Sequence, residues 1–134
     1  MNREISRDDF SEFTELATRW SDMDSVGHIN NATFLSYFET TRIGYLSSFG
    51  FTENKFIVAS IKIDYLKQLD HPARLTIGQK ISRVGNKSFD VLAAVFREDE
   101  TDPIAASVTT VVSFDYETQE TIPVPDVIRE KLDA

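Results

Sequence analysis

A change of hydrophobic period divides this chain and leaves few architectures open to it. Between about residues 31 and 47, Phe34, Phe38, Thr41, Tyr45 and Phe49 recur at three- and four-residue steps, flanked by Leu35 and Leu46. That spacing predicts one long helix with an aromatic buried face. Asn30 or Asn31 suits its N-cap, because an Asn side chain accepts from the free amides of a first turn, and Gly50 suits its stop. From Lys55 the step becomes two. Ile57, Ala59, Ile61, Ile63 and Tyr65 fall on one face of a strand; Leu75, Ile77 and Ile81 mark the next, up to a hairpin turn at 84–87. A third run covers 89–97, and after a polar turn a fourth alternates from Ile104 to Tyr116. Ahead of the helix, residues 11–20 read as a strand and 22–30 as a polar turn. Pro125 and Asp126 open a short C-terminal helix with Val127, Ile128 and Leu132 on its apolar side.

One helix cannot cover both faces of a five-stranded sheet, and consecutive hairpins favour antiparallel neighbours. The expected fold is α+β, a curled five-stranded antiparallel sheet around one long central helix. An uncovered sheet face or edge would leave apolar side chains at the surface, so self-association is expected. The 134 residues suffice for a single domain spanning 1–134, with no repeat or linker to divide it.

Charge and cysteine content narrow the function. The formal charge of −8 argues against nucleic-acid binding. It is unevenly spread: residues 54–97 hold eight basic and three acidic residues, a net of +5, which leaves −13 for the rest. A basic middle in an acidic protein could meet a small polyanion, although the count by itself fits the solvated face of a sheet better. No cysteine is present, which removes disulfides, thiol catalysis and thiolate metal sites. With two histidines a metal site has little to build on, and none is expected. No run is long and apolar enough to span a membrane, and the charged start carries no export signal, so the expected location is the cytoplasm.

Asp24 is the residue that chemistry singles out. It lies in the turn that feeds the long helix, with Asp22 before it and Gly27 after it to let the chain turn sharply. The following helix start offers unpaired N–H groups and the positive end of a dipole. A carboxylate and helix-start amides can bracket a carbonyl, one attacking the carbon or activating a water, the other stabilising the oxyanion. The spacing alone leaves open that Asp22 and Asp24 only cap turns and that His28 only packs.

Resemblance adds to this. Residues 20–42 run from Trp20 through Asp22-x-Asp24 and Gly27-His28-x-Asn30-Asn31 into an aromatic helix bearing Glu39 and Arg42. The segment resembles the signature of hotdog-fold acyl-CoA thioesterases, the branch typified by 4-hydroxybenzoyl-CoA thioesterase. Residues 63–66, 71–74 and 83–89 resemble that family's later strands and its coenzyme-contacting hairpin, so the likeness spans roughly residues 13–116. It implies hydrolysis of an acyl-CoA thioester with Asp24 as nucleophile or general base. The backbone amide near Asn31 would polarise the carbonyl. His28 and Asn30 would lie near the acyl group or order the loop, and Arg83, Lys87 and Ser88 would meet the phosphates of coenzyme A. Glu39 is a rival to Asp24, because another branch places its carboxylate on the central helix; with Arg42 it could instead form a plain helix ion pair. His71, beside Pro72, reads as structural. No separate cofactor is implied, since coenzyme A is part of the substrate, and the family assembles as homodimers or homotetramers. Rival functions are a non-catalytic acyl-CoA sensor or carrier, a hotdog dehydratase or hydratase, and a purely structural oligomer.

Overall fold

The computed structural model describes residues 4–132. Along the chain come β1 (Glu12–Ala17), α1 (Asn31–Ser47), β2 (Phe56–Tyr65), β3 (Arg74–Val84), β4 (Ser88–Arg97), β5 (Ala105–Asp115), β6 (Glu120–Thr121) and α2 (Asp126–Leu132). The sheet order is β1-β3-β4-β5-β2, with every neighbour antiparallel and the two-residue β6 pairing the end of β5. This is the expected curled sheet with one long helix. The first strand is shorter than expected, because Trp20–Asp22 closes into a 3-10 turn. The two residues of β6 fall below any period a sequence can display.

The helix forms for the reasons its sequence gives. Asn30 has an extended backbone and its side chain accepts from the Ala32 amide at 2.8 Å. Past the last turn, Gly50 takes φ +86, a conformation that side chains with a Cβ rarely adopt. Between those ends Phe34, Tyr37, Phe38, Thr41, Arg42 and Leu46 are buried against the sheet. Leu35, expected beside this stripe, is 44% exposed, since one residue is about 100° of helix and turns it toward the outward side. Arg42 and Glu39 do not form the ion pair that their spacing allows. The Arg42 guanidinium is 5% exposed and donates to Thr109 Oγ1 at 3.2 Å, whereas Glu39 stays at the surface.

Two apolar clusters lie between α1 and the sheet. Ile29, Phe34, Phe38, Leu75, Val95 and Ile104 pack at the start of the helix. Leu46, Phe51, Phe56, Ile81, Phe89 and Ile128 pack at its end. On the opposite sheet face Ile5 and Phe10 cover Leu92, Ala94, Phe96 and Ala106. Part of the face that a single helix leaves open is thus closed by the chain's own N-terminal segment.

The edge strand β2 departs from its sequence pattern. Its register against β5 slips between Val58 and Ser60, and one extra residue transfers every later side chain to the other face. Ile61, Ile63 and Tyr65 stand opposite the buried Thr109, Ser107 and Ala105, while Ile57 stands opposite Val112 on the far face. The five residues expected on one face are therefore divided at Ala59. Ile57 and Val58 are exposed, on a ten-residue edge that no described strand covers.

Candidate functional site

The loop before α1 is held by its own carboxylates, and Asp22 and Asp24 have opposite fates. Asp22 is 2% exposed. It accepts from the Arg19 amide at 2.9 Å, from the Arg19 guanidinium at 2.9 and 3.2 Å, and from the Tyr37 hydroxyl at 2.6 Å. Burial by itself would raise its pKa; the Tyr37 hydroxyl and the Arg19 amide and guanidinium outweigh that and hold it below the usual carboxylate value. Burial, with the Asp22 hydrogen bond behind it, pushes the Tyr37 phenol up. Asp22 is an anchor that ties the loop to the second turn of α1.

Asp24 is exposed. Its Oδ1 accepts from the Val26 amide at 2.9 Å and the His28 amide at 3.1 Å, and Oδ2 has no partner among the described residues. The loop closes tightly enough for this because the Asp24 amide donates to the His28 carbonyl at 2.7 Å and Gly27 adopts φ +86. The carboxylate is oriented through one oxygen and left open at the other.

Asn30 caps α1, so its side chain serves the helix rather than a ligand. The next amide, that of Asn31, makes no hydrogen bond among the described residues and sits at the positive end of the helix dipole. The Asn31 carbonyl accepts from the Tyr65 hydroxyl at 3.0 Å, which ties the helix start to the end of β2. His28 lies beside Asp70: their backbones form an isolated bridge, and Nε2 stands 3.4 Å from the Asp70 carboxylate.

These groups surround a cavity of about 350 Å³ lined by Asp24, His28, Asn31, Phe34, Tyr65 and Leu69, among others. It presents an oriented carboxylate, a free helix-start amide and an apolar wall together, which is the arrangement acyl transfer needs. A larger hollow of about 650 Å³ shares Tyr65, Leu66 and Lys67 with it, but its carboxylates, Glu4, Asp64 and Asp102, have no such amide among the lining residues. Tyr65, Lys67 and Asp70 are at the site without having been singled out in the sequence; position within a strand or loop gave no signal of it. Glu39 lies outside the cavity, which leaves Asp24 as the carboxylate at the helix-start amide. His71 accepts or donates at 2.8 Å with Thr18 Oγ1 and pins the end of β1, in keeping with a structural role.

The other expected ligand contacts lie elsewhere. Arg83, Lys87 and Ser88 flank the β3–β4 turn, at the end of the sheet that packs beneath the end of α1. The eleven residues of β3 separate that turn from the Asp24 end by about 30 Å at a strand rise of ~3.3 Å. Within one chain the structure does not bring the two groups together. Arg83 is also not a free cation. Its guanidinium holds Asp90 at 2.9 and 3.2 Å and donates to Ser88 Oγ at 3.0 Å, and the Asp90 bond raises its pKa. Among the described residues no three His, Asp or Glu side chains cluster as a metal site would need, and no helix is long and apolar enough to cross a membrane.

Comparison with known proteins agrees with this geometry. YsmA of Bacillus subtilis (strain 168), an uncharacterized protein, is 41% identical over 83 residues, 59% of this chain and 56% of that one, so the match spans little more than half of that relative. The long-chain acyl-CoA thioesterase FadM of Escherichia coli (strain K12) is 28% identical over 126 residues, covering 90% of this chain and 96% of its own. A thioesterase from Thermus thermophilus, solved in complex with coenzyme A and Zn, superposes with a TM-score of 0.80 at 29% identity, over 93% of this chain and 99% of its own. The family model of the thioesterase-like superfamily matches residues 18–132. The chain belongs to the thioesterase-like superfamily, with the hotdog fold that its Asp24 segment implied.

Proposed function

We propose that the protein hydrolyses acyl-CoA thioesters to the free acid and coenzyme A, with Asp24 as the reacting carboxylate. The observation that carries this is the division of labour within one side chain: Oδ1 is held by two loop amides and Oδ2 has no partner among the described residues, while Asp24 lines a cavity together with Asn31, whose amide makes no hydrogen bond there. A thioester carbonyl placed there would have its oxygen at the Asn31 N–H and its carbon before Oδ2. Two routes balance. Asp24 adds to the carbon and the thiolate of coenzyme A leaves, giving a mixed anhydride that water opens; or Asp24 takes a proton from a water that attacks, and the same thiolate leaves and is protonated. The long-chain activity of FadM and the coenzyme A bound to the Thermus protein support the substrate class.

The hairpin reaches this site from a second copy. The open edge of β2 offers unpaired backbone groups for ten residues. A two-fold pairing of two β2 strands would be antiparallel and set the Tyr65 end of one beside the Phe56 end of the other. Phe56 registers with Ser113, whose neighbour Val112 registers with Ser88. The partner's hairpin would then stand three strand spacings from this chain's β2, about 14 Å at the usual ~4.8 Å spacing. The phosphates would meet the partner's hairpin while the thioester meets this chain's Asp24.

The test is thiol release from a panel of aliphatic and aromatic acyl-CoAs, wild type beside Asp24→Asn. Asn keeps an acceptor oxygen for the Val26 and His28 amides and removes the charge, so folding is kept. Turnover by wild type with a loss of about 100-fold or more in the variant is the expected result. Tight acyl-CoA binding with no turnover would replace the enzyme by a sensor or carrier, for which the structural use of Oδ1 is the supporting observation. Equal turnover by both proteins would remove Asp24 from the reaction.

A further inference from the structure

Three cations stand at the β3–β4 turn, and their surroundings differ. Arg83 faces a carboxylate: Asp90 takes two of its donors and is itself held by the Thr110 hydroxyl at 2.8 Å. A guanidinium already neutralised in a bidentate pair has little charge to offer an arriving phosphate. Lys87 is exposed and has no ion-pair or hydrogen-bond partner for its ammonium among the described residues, while its backbone is held to the sheet by the Ser113 amide at 2.9 Å. The third cation comes from α2. Ile128 of α2 is fully buried in the cluster under the turn, and the Val124 amide just before the helix donates to the Asn86 carbonyl at 2.9 Å. This seats the next residue, Arg129, over the turn. One of its terminal nitrogens donates to the Gly85 carbonyl at 2.9 Å and the Asn86 carbonyl at 3.3 Å. Its other donors and its full charge have no carboxylate partner among the described residues, although Asp126 and Glu130 share its helix.

We infer that Lys87 and Arg129, from two different elements, form the phosphate-binding pair of this protein, and that Arg83 is a structural cation of the hairpin. The inference rests on the proposed acyl-CoA substrate and deepens it by naming which charges meet the phosphates. Arg129 is oriented by the two carbonyls that precede Lys87, so both cations are held to the same three-residue turn. A planar guanidinium with free donors and an adjacent ammonium suit a phosphate or diphosphate group of a nucleotide. The pantetheine portion of coenzyme A, which carries no phosphate when isolated, gains nothing from them.

Direct binding tests this independently of turnover. Coenzyme A and pantetheine are titrated calorimetrically into the full chain as wild type, Lys87→Gln, Arg129→Gln and the double variant, with Lys131→Gln as a charge control. Lys131 sits on the other side of α2, over the Phe49 ring. Each single substitution is expected to weaken coenzyme A about fivefold, the size of an exposed charge-assisted contact, and the double variant by about the product of the two. Pantetheine binding and the Lys131→Gln control are expected to match wild type. Unchanged coenzyme A affinity in Arg129→Gln, or no coenzyme A binding by wild type, overturns the inference. So does an Arg129 effect that vanishes once Lys87 is replaced, because Arg129 would then only hold Lys87 in place. Binding that shifts as expected in a protein that releases no thiol would leave the pair standing and remove the thioesterase reading.

Discussion

The two ends of the sheet use charge in the same way with opposite sign. At the helix-start end two carboxylates lie two residues apart; Asp22 is buried and neutralised by Arg19, and Asp24 is exposed with one oxygen open. At the hairpin end two cations lie four residues apart; Arg83 is neutralised by Asp90, and Lys87 is open, with Arg129 beside its turn. In each pair the compensated charge builds the loop and the uncompensated one stays exposed. Net charge or local composition cannot distinguish the members of either pair, because what separates them is the partner that folding supplies.

Substitutions at the helix-start end should have the largest and most divergent effects. Asp24→Asn should cost about 100-fold or more in kcat and leave thermal stability nearly unchanged, whereas Asp22→Ala should do the reverse. Removing Asp22 strands the buried Tyr37 hydroxyl and the Arg19 contacts, at about 3 kcal/mol of folding stability. Chemical denaturation beside thiol release separates the two. Acid gives the same result without mutation. The pKa of Asp22 is held below its ordinary value, so its contribution is present above the unfolded carboxylate range and is lost as pH falls through the folded value. The acid-side loss of stability should be smaller in Asp22→Ala than in wild type. A protein whose stability responds equally to both substitutions would erase the distinction between the two carboxylates.

Much of the fold was legible because it depends on period, and less of the site was, because it depends on partners. The aromatic steps from Phe34 to Phe49 and the alternation of β3 to β5 mark their elements directly. The slip in β2 was not legible: Ile57, Ala59, Ile61, Ile63 and Tyr65 alternate perfectly in sequence, and only pairing against β5 reveals the extra residue at Ala59. Asp24 and the helix-start amide at Asn31 stood out because loop, glycine and cap are local signals. The surroundings of Arg83 and Arg129 were not legible, because Asp90 and the Gly85 and Asn86 carbonyls reach them from residues 7, 44 and 43 away. Long-range pairing leaves no trace in a window of sequence.

About 30 Å of β3 separates the open carboxylate from the open cations within a chain. Mixed oligomers test whether two copies join them. Asp24→Asn lacks the proposed reacting group, and Lys87→Gln with Arg129→Gln lacks the proposed phosphate contacts. Dissociated and reassociated together, they would form a species with one site intact in both respects. At low acyl-CoA the mixture should recover a large part of the roughly 25-fold loss expected of the second parent, the product of two exposed contacts. Recovery no greater than the average of the parents would show that each chain serves its own site.

The smallest and sharpest test concerns Tyr37, which connects the anchoring carboxylate to α1 through a 2.6 Å hydrogen bond. Tyr37→Phe keeps the ring and its edge contact with Phe34, and removes one donor from a charged acceptor, at about 1–2 kcal/mol. The Tyr37 bond is the foremost influence that lowers the Asp22 pKa against burial. Without it the carboxylate should titrate higher, and the acid-side loss of stability should begin at higher pH. Turnover at neutral pH should hold, because Asp24 keeps its Val26 and His28 amides and its open oxygen. Loss of activity in a fully folded Tyr37→Phe protein would mean that the two carboxylates act as one unit, and that the division between building and presented charge fails at this end of the sheet.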